Sequence, residues 1–396
     1  MRLPVLDKLY EQLQHHNGSL AGWGCVYVQH VLESNISCAE FLVKLGLDRN
    51  ALRIIGKAYS TSNFALQEYR NRGFFAVNVG EGYQYQEPFD NALIEQVRYE
   101  LSILIENGIR SLLIIDEGAI ASRAAIDFTT LFEKIAVVEL TSRGAPYFPL
   151  LAPVASIVDV ARSPAKKTVE SPIIAASMVD RLTFLLSKTG LQTKDWNIGL
   201  IGVGAIGSRI MDILQQNGFR VYWCDREREG GASSILELME WAEVLLSSTG
   251  EGVDWTNAIS QNRNRARFFA NCGSSDIEFK IWNLRRALLE ESNFTLHVEV
   301  PSSPWSGNVT FSSGDRNMIF LCGGFPINFD GSADPIPPNK IQLTRALLMA
   351  GAIQAVNLSE VGVHALDPVW QSSIVGWFQE LPESPSTFHD LVGDGV

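Results

Sequence analysis

The chain has 396 residues, 46% of them hydrophobic, and a mean hydropathy of +0.05, which supplies ample apolar matter for a buried core and excludes a disordered protein. Its net charge of −12 and pI near 5.1 argue against nucleic acid or an anionic membrane surface as the main partner. Five scattered cysteines, Cys25, Cys38, Cys224, Cys272 and Cys322, form no C-x-x-C pair and read as reduced thiols of a cytoplasmic protein.

In chain order, Asp7, Lys8 and Glu11 interrupt the first segment, so it does not read as a signal peptide. An α/β rhythm follows, with strands at 25–29, 52–55, 75–79, 111–116 and 136–139 and helices at 39–45, 64–70, 89–107 and 129–134. Short apolar runs alternating with helices imply a parallel sheet covered on both faces. The stretch 156–167 holds Pro164 and reads as a connection into a long helix at 173–187. Beyond residue 225 the expected helices are 232–242 and 281–290, with strands at 244–248, 267–272, 295–300, 308–312 and 318–322. A Gly/Pro/Asp-rich loop at 323–338 precedes a long helix at 340–358. The apolar run 346–356 is too short to span a bilayer. At this length two domains are expected.

The most telling segment is IGLIGVGAIGSRIMDILQQNGFRVYWCD, from Ile198 to Asp225. Gly202, Gly204 and Gly207 fall in G-x-G-x-x-G spacing between an apolar run and a helical pattern, and Asp225 ends the next apolar run. Each part has a physical reason. Gly202 makes the turn, Gly204 lets backbone approach a pyrophosphate, and Gly207 lets helix and strand pack closely. The helix start, Ala205 and Ile206, points free N–H groups and a positive dipole end at the phosphates. Asp225 stands where an acid takes the ribose hydroxyls of NAD, about 20 residues on. Arg226 and Arg228 would suit a 2′-phosphate, but Asp225 repels one, so NAD is favoured over NADP.

Further motifs occur in order along the chain: YSTSN at 59–63, IDEG at 115–118, ELTSRG at 139–144, NCGSSDIE at 271–278 and GVH at 362–364. With the glycine motif, this set resembles the adenosylhomocysteinase (S-adenosyl-L-homocysteine hydrolase) family, whose counterparts are F-S-T-Q-D, L-D-D-G-G-D, E-E-T-T-T-G, N-I-G-H-F-D-x-E and G-V-H-F-L. The resemblance implies a substrate domain and a domain holding NAD tightly. The family oxidises the ribose 3′-hydroxyl, eliminates homocysteine, adds water and returns the hydride. Departures fall on that chemistry. Leu140 replaces the second Glu of E-E-T-T-T-G, Ser274 replaces the His of N-x-G-H, NFDGSADPIP at 328–337 replaces a G-H-P segment, and the chain ends LVGDGV without the family's Lys–Tyr tail. Hydrolysis of adenosylhomocysteine is therefore not expected.

The catalytic candidates are Asp116 and Glu117, a strand-end carboxylate pair that would serve as base and ribose ligand or as a helix cap. Lys166 with Glu170 keeps the spacing of the family's catalytic lysine and acid, against the alternative of a solvated linker pair. His30 matches the family's first-strand histidine if the preceding loop is longer here; otherwise Tyr27 takes that place. His15, His16 and His389 lie in polar terminal segments and carry no signal. Cofactor contacts are expected from Gly202, Gly204, Ala205, Ile206, Gly207, Asp225 and Arg226, and from Ser248, Thr249 and Gly250 after the next strand. Asn271 joins them, with Thr141, Ser142 and Asn328 near the nicotinamide. No set of residues has metal-ligand spacing.

The expected fold is α/β, with two Rossmann-like doubly wound domains in a formate/glycerate dehydrogenase-like arrangement. Residues 1–177 with 336–396 would form the substrate domain and 178–335 the NAD domain, with the active cleft between them. The expected function is NAD-dependent oxidation of a secondary hydroxyl on a nucleoside-like or other small polar substrate. Two alternatives remain open: a catalytically silent NAD-binding homologue working through a protein partner, and a 2-hydroxyacid dehydrogenase-like oxidoreductase. A homo-oligomer is expected, a dimer ahead of a tetramer, with the apolar helix at 340–358 as a candidate dimer face.

Overall fold

The computed structural model describes residues 2–13, 20–189, 196–253, 255, 258–259, 266–291, 294–299 and 307–381; His15, His16 and His389 lie outside them. The first elements are α1 (Pro4–Leu13), β1 (Trp23–Gln29), α2 (Glu33–Lys44), β2 (Leu52–Lys57), α3 (Asn63–Asn71) and β3 (Phe75–Val79). They are followed by α4 (Asp90–Glu106), β4 (Ser111–Asp116), α5 (Ile120–Ala125), β5 (Lys134–Glu139), α6 (Phe148–Leu151) and β6 (Ser156–Asp159). Next come α7 (Ser171–Ser187), β7 (Asn197–Ile201), α8 (Ala205–Gln216), β8 (Arg220–Cys224), α9 (Ile235–Trp241), β9 (Val244–Ser247) and β10 (Phe268–Asn271). The rest are α10 (Ile281–Glu291), β11 (Thr295–Val298), β12 (Val309–Ser313), β13 (Arg316–Phe320), α11 (Pro338–Asn357), β14 (Gly362–Ala365) and α12 (Pro368–Gln379).

Two compact units result. One takes the chain up to Glu81, Asp90–Glu170 and the part from Gly331; the other takes Gly82–Phe89 and Ser171–Asp330. The break falls before α7, not at 177, because Ala175, Met178, Val179, Leu182 and Leu186 of that helix share a core with Ile210, Ile213 and Leu214 of α8.

The sheet of the first unit runs β14-β6-β5-β4-β1-β2-β3, with every pairing parallel. Its middle strand, β1, is buried at all seven positions, as a parallel strand covered on both faces must be. The order reverses between β1 and β4, and the residues following those two strands are His30 and Glu117. A doubly wound sheet binds its ligand at such a switch point, beyond the carboxyl ends of the strands.

Two expectations are corrected here. Ser156–Asp159 is strand β6, not a connection: all four residues are buried between β5 and β14, and so short a run ending in Asp159 gave no strand pattern. The long C-terminal helix α11 is buried on all sides against β5, β6, α1, α2 and α12 of its own unit, so it offers no dimer face.

The sheet of the second unit runs β11-β12-β13-β10-β9-β7-β8. Strands β8, β7, β9, β10 and β13 are parallel, and β13, β12 and β11 continue as antiparallel neighbours. Its switch point lies between β7 and β9, and the loops after those strands carry Gly202–Gly204 and Ser248–Gly250. Both units are therefore α/β and doubly wound. Among the described residues no helix is long and apolar enough to cross a membrane.

Candidate functional site

In the second unit the three motif glycines have three different geometries. Gly202 adopts φ +85°, and a Cβ there would stand 2.6 Å from the Ser248 carbonyl oxygen. A Cβ on Gly207 would stand 2.0 Å from the Gly202 carbonyl oxygen, so helix α8 can approach the turn only through a glycine. Around Gly204 nothing lies within 4 Å of a Cβ. That open space adjoins a cavity of about 450 Å³ lined by Gly202, Gly204, Asp225, Arg226, Ser248 and Thr249, among others. Gly204 is also the N-cap of α8, so the N–H groups of Ala205 and Ile206 begin the helix beside the opening. A tight turn, an empty position at its tip and a helix start fit a dinucleotide pyrophosphate.

Asp225 holds this turn as well as facing the cavity. Its Oδ2 accepts from the Val203 N–H at 2.7 Å and its Oδ1 from the Glu227 N–H at 2.8 Å. Partial burial pushes its carboxyl up, but those two N–H groups and Arg228 outweigh the burial and hold it below the usual carboxylate range. Arg226 is exposed and pairs with Glu251 at 2.7 Å.

The loop after β9 is clamped by Glu278, a buried residue that sequence reasoning quoted but did not assign. Its carboxylate accepts from Ser247 Oγ at 2.5 Å, Thr249 Oγ1 at 2.8 Å, the Gly250 N–H at 2.8 Å and the Thr249 N–H at 3.2 Å. Asn271 does similar work. Its Nδ2 donates to the Ser275 and Gly324 carbonyls at 2.6 and 2.8 Å, and its Oδ1 accepts from the Gly273 N–H at 2.7 Å. With both N–H donors taken and no exposure, Asn271 organises the loop and does not donate to a cofactor. Asn328 is different: it is buried, and its Oδ1 lacks a hydrogen-bond partner. A buried orphan acceptor is a place for a ligand donor such as a carboxamide.

In the first unit, the switch point gathers a charged cluster. Glu117 Oε2 lies 3.1 Å from Lys57 Nζ and 3.2 Å from His30 Nε2, and all three side chains are largely or wholly buried. Lys57 also donates to the Glu117 carbonyl at 3.1 Å. Burial pushes the Glu117 carboxyl up, but His30 and Lys57 reverse the shift and hold it well below the ordinary value. Burial lowers the His30 imidazole, and the Glu117 charge recovers only part of that. Lys57 and Glu117 thus face each other as an ion pair, with the His30 ring hydrogen-bonded to the same carboxylate oxygen. The carboxylate accepts, so Nε2 carries the proton, and the Nδ1 lone pair faces Ser60 Oγ at 2.6 Å. An imidazole oriented by a carboxylate through one nitrogen is equipped to take a proton at the other.

Asp116 takes no part in this. Its Oδ1 accepts from the N–H groups of Glu117, Ile120 and Ala121, and its Oδ2 accepts from the Ser122 N–H and Oγ, both at 2.8 Å. It caps α5, and the catalytic reading of Asp116 is corrected accordingly. Glu139 is also saturated: Gly118, Ala119 and Thr141 N–H groups and Thr141 Oγ1 donate to it at 2.8–2.9 Å. Burial and the neighbouring Asp116 push its carboxyl up to about 7. Thr141 therefore spends its hydroxyl on Glu139, while Ser142 is exposed at the start of the next turn. Lys166 Nζ lies 2.6 Å from Glu170 Oε2 on a single widened turn leading to α7, with Glu170 buried. Lys57 was missed by sequence reasoning, and Ser60 was quoted within YSTSN without a role. The available signal was a lysine ending the apolar run LRIIGK, at the mouth of a parallel sheet.

Among the described residues no three His, Cys, Asp or Glu side chains are grouped to hold a metal ion. No family model matches the chain. It is 26% identical over 361 residues, covering 89% of this chain and 67% of the relative, to an uncharacterised protein of Mycobacterium tuberculosis. Over 73 residues, 17% of this chain and 19% of the relative, it is 36% identical to an erythronate-4-phosphate dehydrogenase of Salmonella paratyphi B. Among solved structures it is similar to an NAD⁺-bound 3-phosphoglycerate dehydrogenase of Entamoeba histolytica, at 14% identity and a TM-score of 0.38 over 84% of this chain and 94% of that one. It is also similar to D-lactate dehydrogenase with NAD⁺ from Lactobacillus jensenii, at 14% identity and a TM-score of 0.31 over 67% and 76%. Superpositions this loose leave the α/β class to rest on the two strand orders themselves.

Proposed function

We propose that this chain is an NAD-dependent enzyme that oxidises a secondary hydroxyl on a small polar substrate, transiently or for net turnover. When bound, NAD supplies the hydride acceptor. The Gly202–Gly207 turn and the α8 start would hold its pyrophosphate, Asp225 would take the adenosine ribose hydroxyls, and Asn328 Oδ1 would accept from the carboxamide. His30 removes the hydroxyl proton, Glu117 keeps the imidazole oriented and stabilises the charge it gains, and Lys57 keeps Glu117 ionised inside the protein. The observation that carries the reading is the His30 ring held by a buried Glu117, Nε2 to Oε2 at 3.2 Å, with Lys57 Nζ 3.1 Å from the same oxygen at the sheet's switch point. The motif resemblance supports a divergent member of the adenosylhomocysteinase superfamily, with the ordinary hydrolysis lost at Leu140 and Ser274.

The direct test incubates the purified chain and NAD with secondary alcohols of several kinds, nucleosides, polyols and hydroxy acids, and follows the reduced-nicotinamide absorbance. Reduction by wild type and none by His30→Gln is the expected result. Reduction that survives His30→Gln would remove His30 from the reaction. A second reading, a catalytically silent NAD-binding homologue, is favoured by one observation: Asp116 and Glu139 are saturated by backbone donors and cannot act on a substrate. NAD that binds and is never reduced would support it.

A further inference from the structure

Helix α11 places Arg345 in the interior of the first unit, 5% exposed. Its Nε donates to Ser34 Oγ at 3.2 Å. No carboxylate oxygen stands within 4 Å of its guanidinium among the described residues, and Nη1 and Nη2 make no hydrogen bond there. The guanidinium is largely held from water, and the compensation for its charge comes from Asp334, which it reaches only through Ser34. Ser34 relays part of the compensation. Its Oγ donates to Asp334 Oδ1 at 2.6 Å and its N–H donates to Oδ2 at 3.0 Å, which leaves the Nη side of the fork open.

The position of this fork is informative. Ser34 lies in the first turn of α2, the helix that follows His30, and Asn35 Nδ2 of that turn donates to the His30 carbonyl at 2.8 Å. Arg345 therefore belongs to the same end of the sheet as the His30–Glu117–Lys57 cluster, and its charge is felt at the His30 ring. In that cluster Lys57 is already neutralised by Glu117, whereas Arg345 meets Asp334 only through Ser34, so its charge can be shared with an incoming ligand.

We propose that Arg345 binds the carboxylate of the substrate, which makes the substrate a hydroxy carboxylate whose hydroxyl lies toward His30. The inference rests on the reading that this end of the sheet is the substrate site. One open fork offers two parallel N–H donors, the match for a planar carboxylate of single charge. A phosphate dianion would face Asp334 with one cation to balance it.

The test titrates the full chain, with and without NAD, by calorimetry with glycolate, D-lactate, L-lactate and malate, each beside its uncharged amide. Inorganic phosphate and adenosine are run in parallel. At least one carboxylate is expected to bind at least 10-fold more tightly than its amide. Arg345→Met should weaken that carboxylate about 100-fold, the scale of removing one partner of a buried charge pair, and should leave NAD affinity unchanged. Arg345→Lys, which keeps the charge and loses the fork, should fall between and guards against a folding defect in the Met variant. Carboxylates that do not bind, or bind no better than their amides, overturn the proposal, as does tighter binding of phosphate or adenosine. An unchanged carboxylate affinity in Arg345→Met overturns it too. If NAD fails to bind, the cofactor reading falls, and the titration without NAD still decides the role of Arg345.

Discussion

The Glu117 carboxylate, 3.2 Å from His30 Nε2, holds the imidazole so that its other nitrogen, Nδ1, meets Ser60 Oγ at 2.6 Å. The same oxygen meets Lys57 Nζ at 3.1 Å, so the catalytic orientation and the neutrality of a buried cation depend on a single side chain.

Glu117→Gln should accordingly be destabilising. It leaves Lys57, 1% exposed, without a counter-charge, and breaking a buried pair from one side costs about 3–5 kcal/mol. Glu117→Gln combined with Lys57→Met should recover much of the loss, since no buried charge remains. Urea unfolding of the three variants checks this. A Glu117→Gln chain within about 0.5 kcal/mol of wild type would show that the pair is not held as described.

The pH dependence follows from two shifts. His30 is lowered by burial, so its neutral, accepting form persists below the ordinary imidazole value of about 6.5. The acid limb of kcat/KM is expected below that value, with activity falling as pH drops through it. Glu117 is depressed, so its stabilising contribution is present above the ordinary glutamate value of about 4.3 and is lost as pH falls through the depressed one. The stability difference between wild type and Glu117→Gln should therefore be constant near neutrality and shrink in acid. A difference that grows as pH falls would contradict the ionised Glu117.

The second and third motif glycines should fail in different ways. Gly207→Ala drives a methyl group into the Gly202 carbonyl, so it should lower the melting temperature and thereby binding. A Cβ at Gly204 meets no protein atom within 4 Å, so Gly204→Val should melt close to wild type while NAD binding is abolished. Thermal melts beside calorimetry separate the two. Retained NAD binding in Gly204→Val would mean that the turn is not the phosphate site.

Much of this was legible in the sequence, and the reason differs from residue to residue. The G-x-G-x-x-G turn declares itself because its steric demands leave glycine as the workable choice at Gly202 and Gly207. His30 and Glu117 were readable as a strand end and a motif, but their meeting depends on β1 and β4 being neighbours across a switch point. Lys57 was invisible as a partner, because a lysine after an apolar run looks the same whether it reaches solvent or a buried glutamate. The catalytic reading of Asp116 fails because an acid at a strand end looks the same whether it faces a substrate or caps the helix behind it. Arg345 lies within a helix whose periodicity shows only burial. The α11 surface was misjudged for the opposite reason: an apolar helix looks alike whether its cover is a second subunit or its own sheet.

Hydrolysis of adenosylhomocysteine should be negligible. Leu140, 5% exposed, offers the ribose no acceptor, and Ser274 does not titrate near neutral pH. Each lost acid–base group is typically worth 10²–10⁴-fold. Release of homocysteine thiol from the NAD-loaded chain is the measurement. Turnover at about 1 s⁻¹ or faster, ordinary for an enzyme, would show that other groups have taken over, with Glu117 and Lys166 first in line.

The central claim is that the second unit holds NAD, with Asp225 on the adenosine ribose. Calorimetric titration of the intact chain with NAD and NADP, repeated with Asp225→Ala, tests it most directly. Wild type should bind NAD well ahead of NADP, since a 2′-phosphate would meet an ionised carboxylate. Asp225→Ala should lose about 1–3 kcal/mol of NAD binding, the scale of a hydrogen bond to a charged group, and lose its preference with it. Equal affinity of the wild type for both dinucleotides, or no binding of either, would contradict the account.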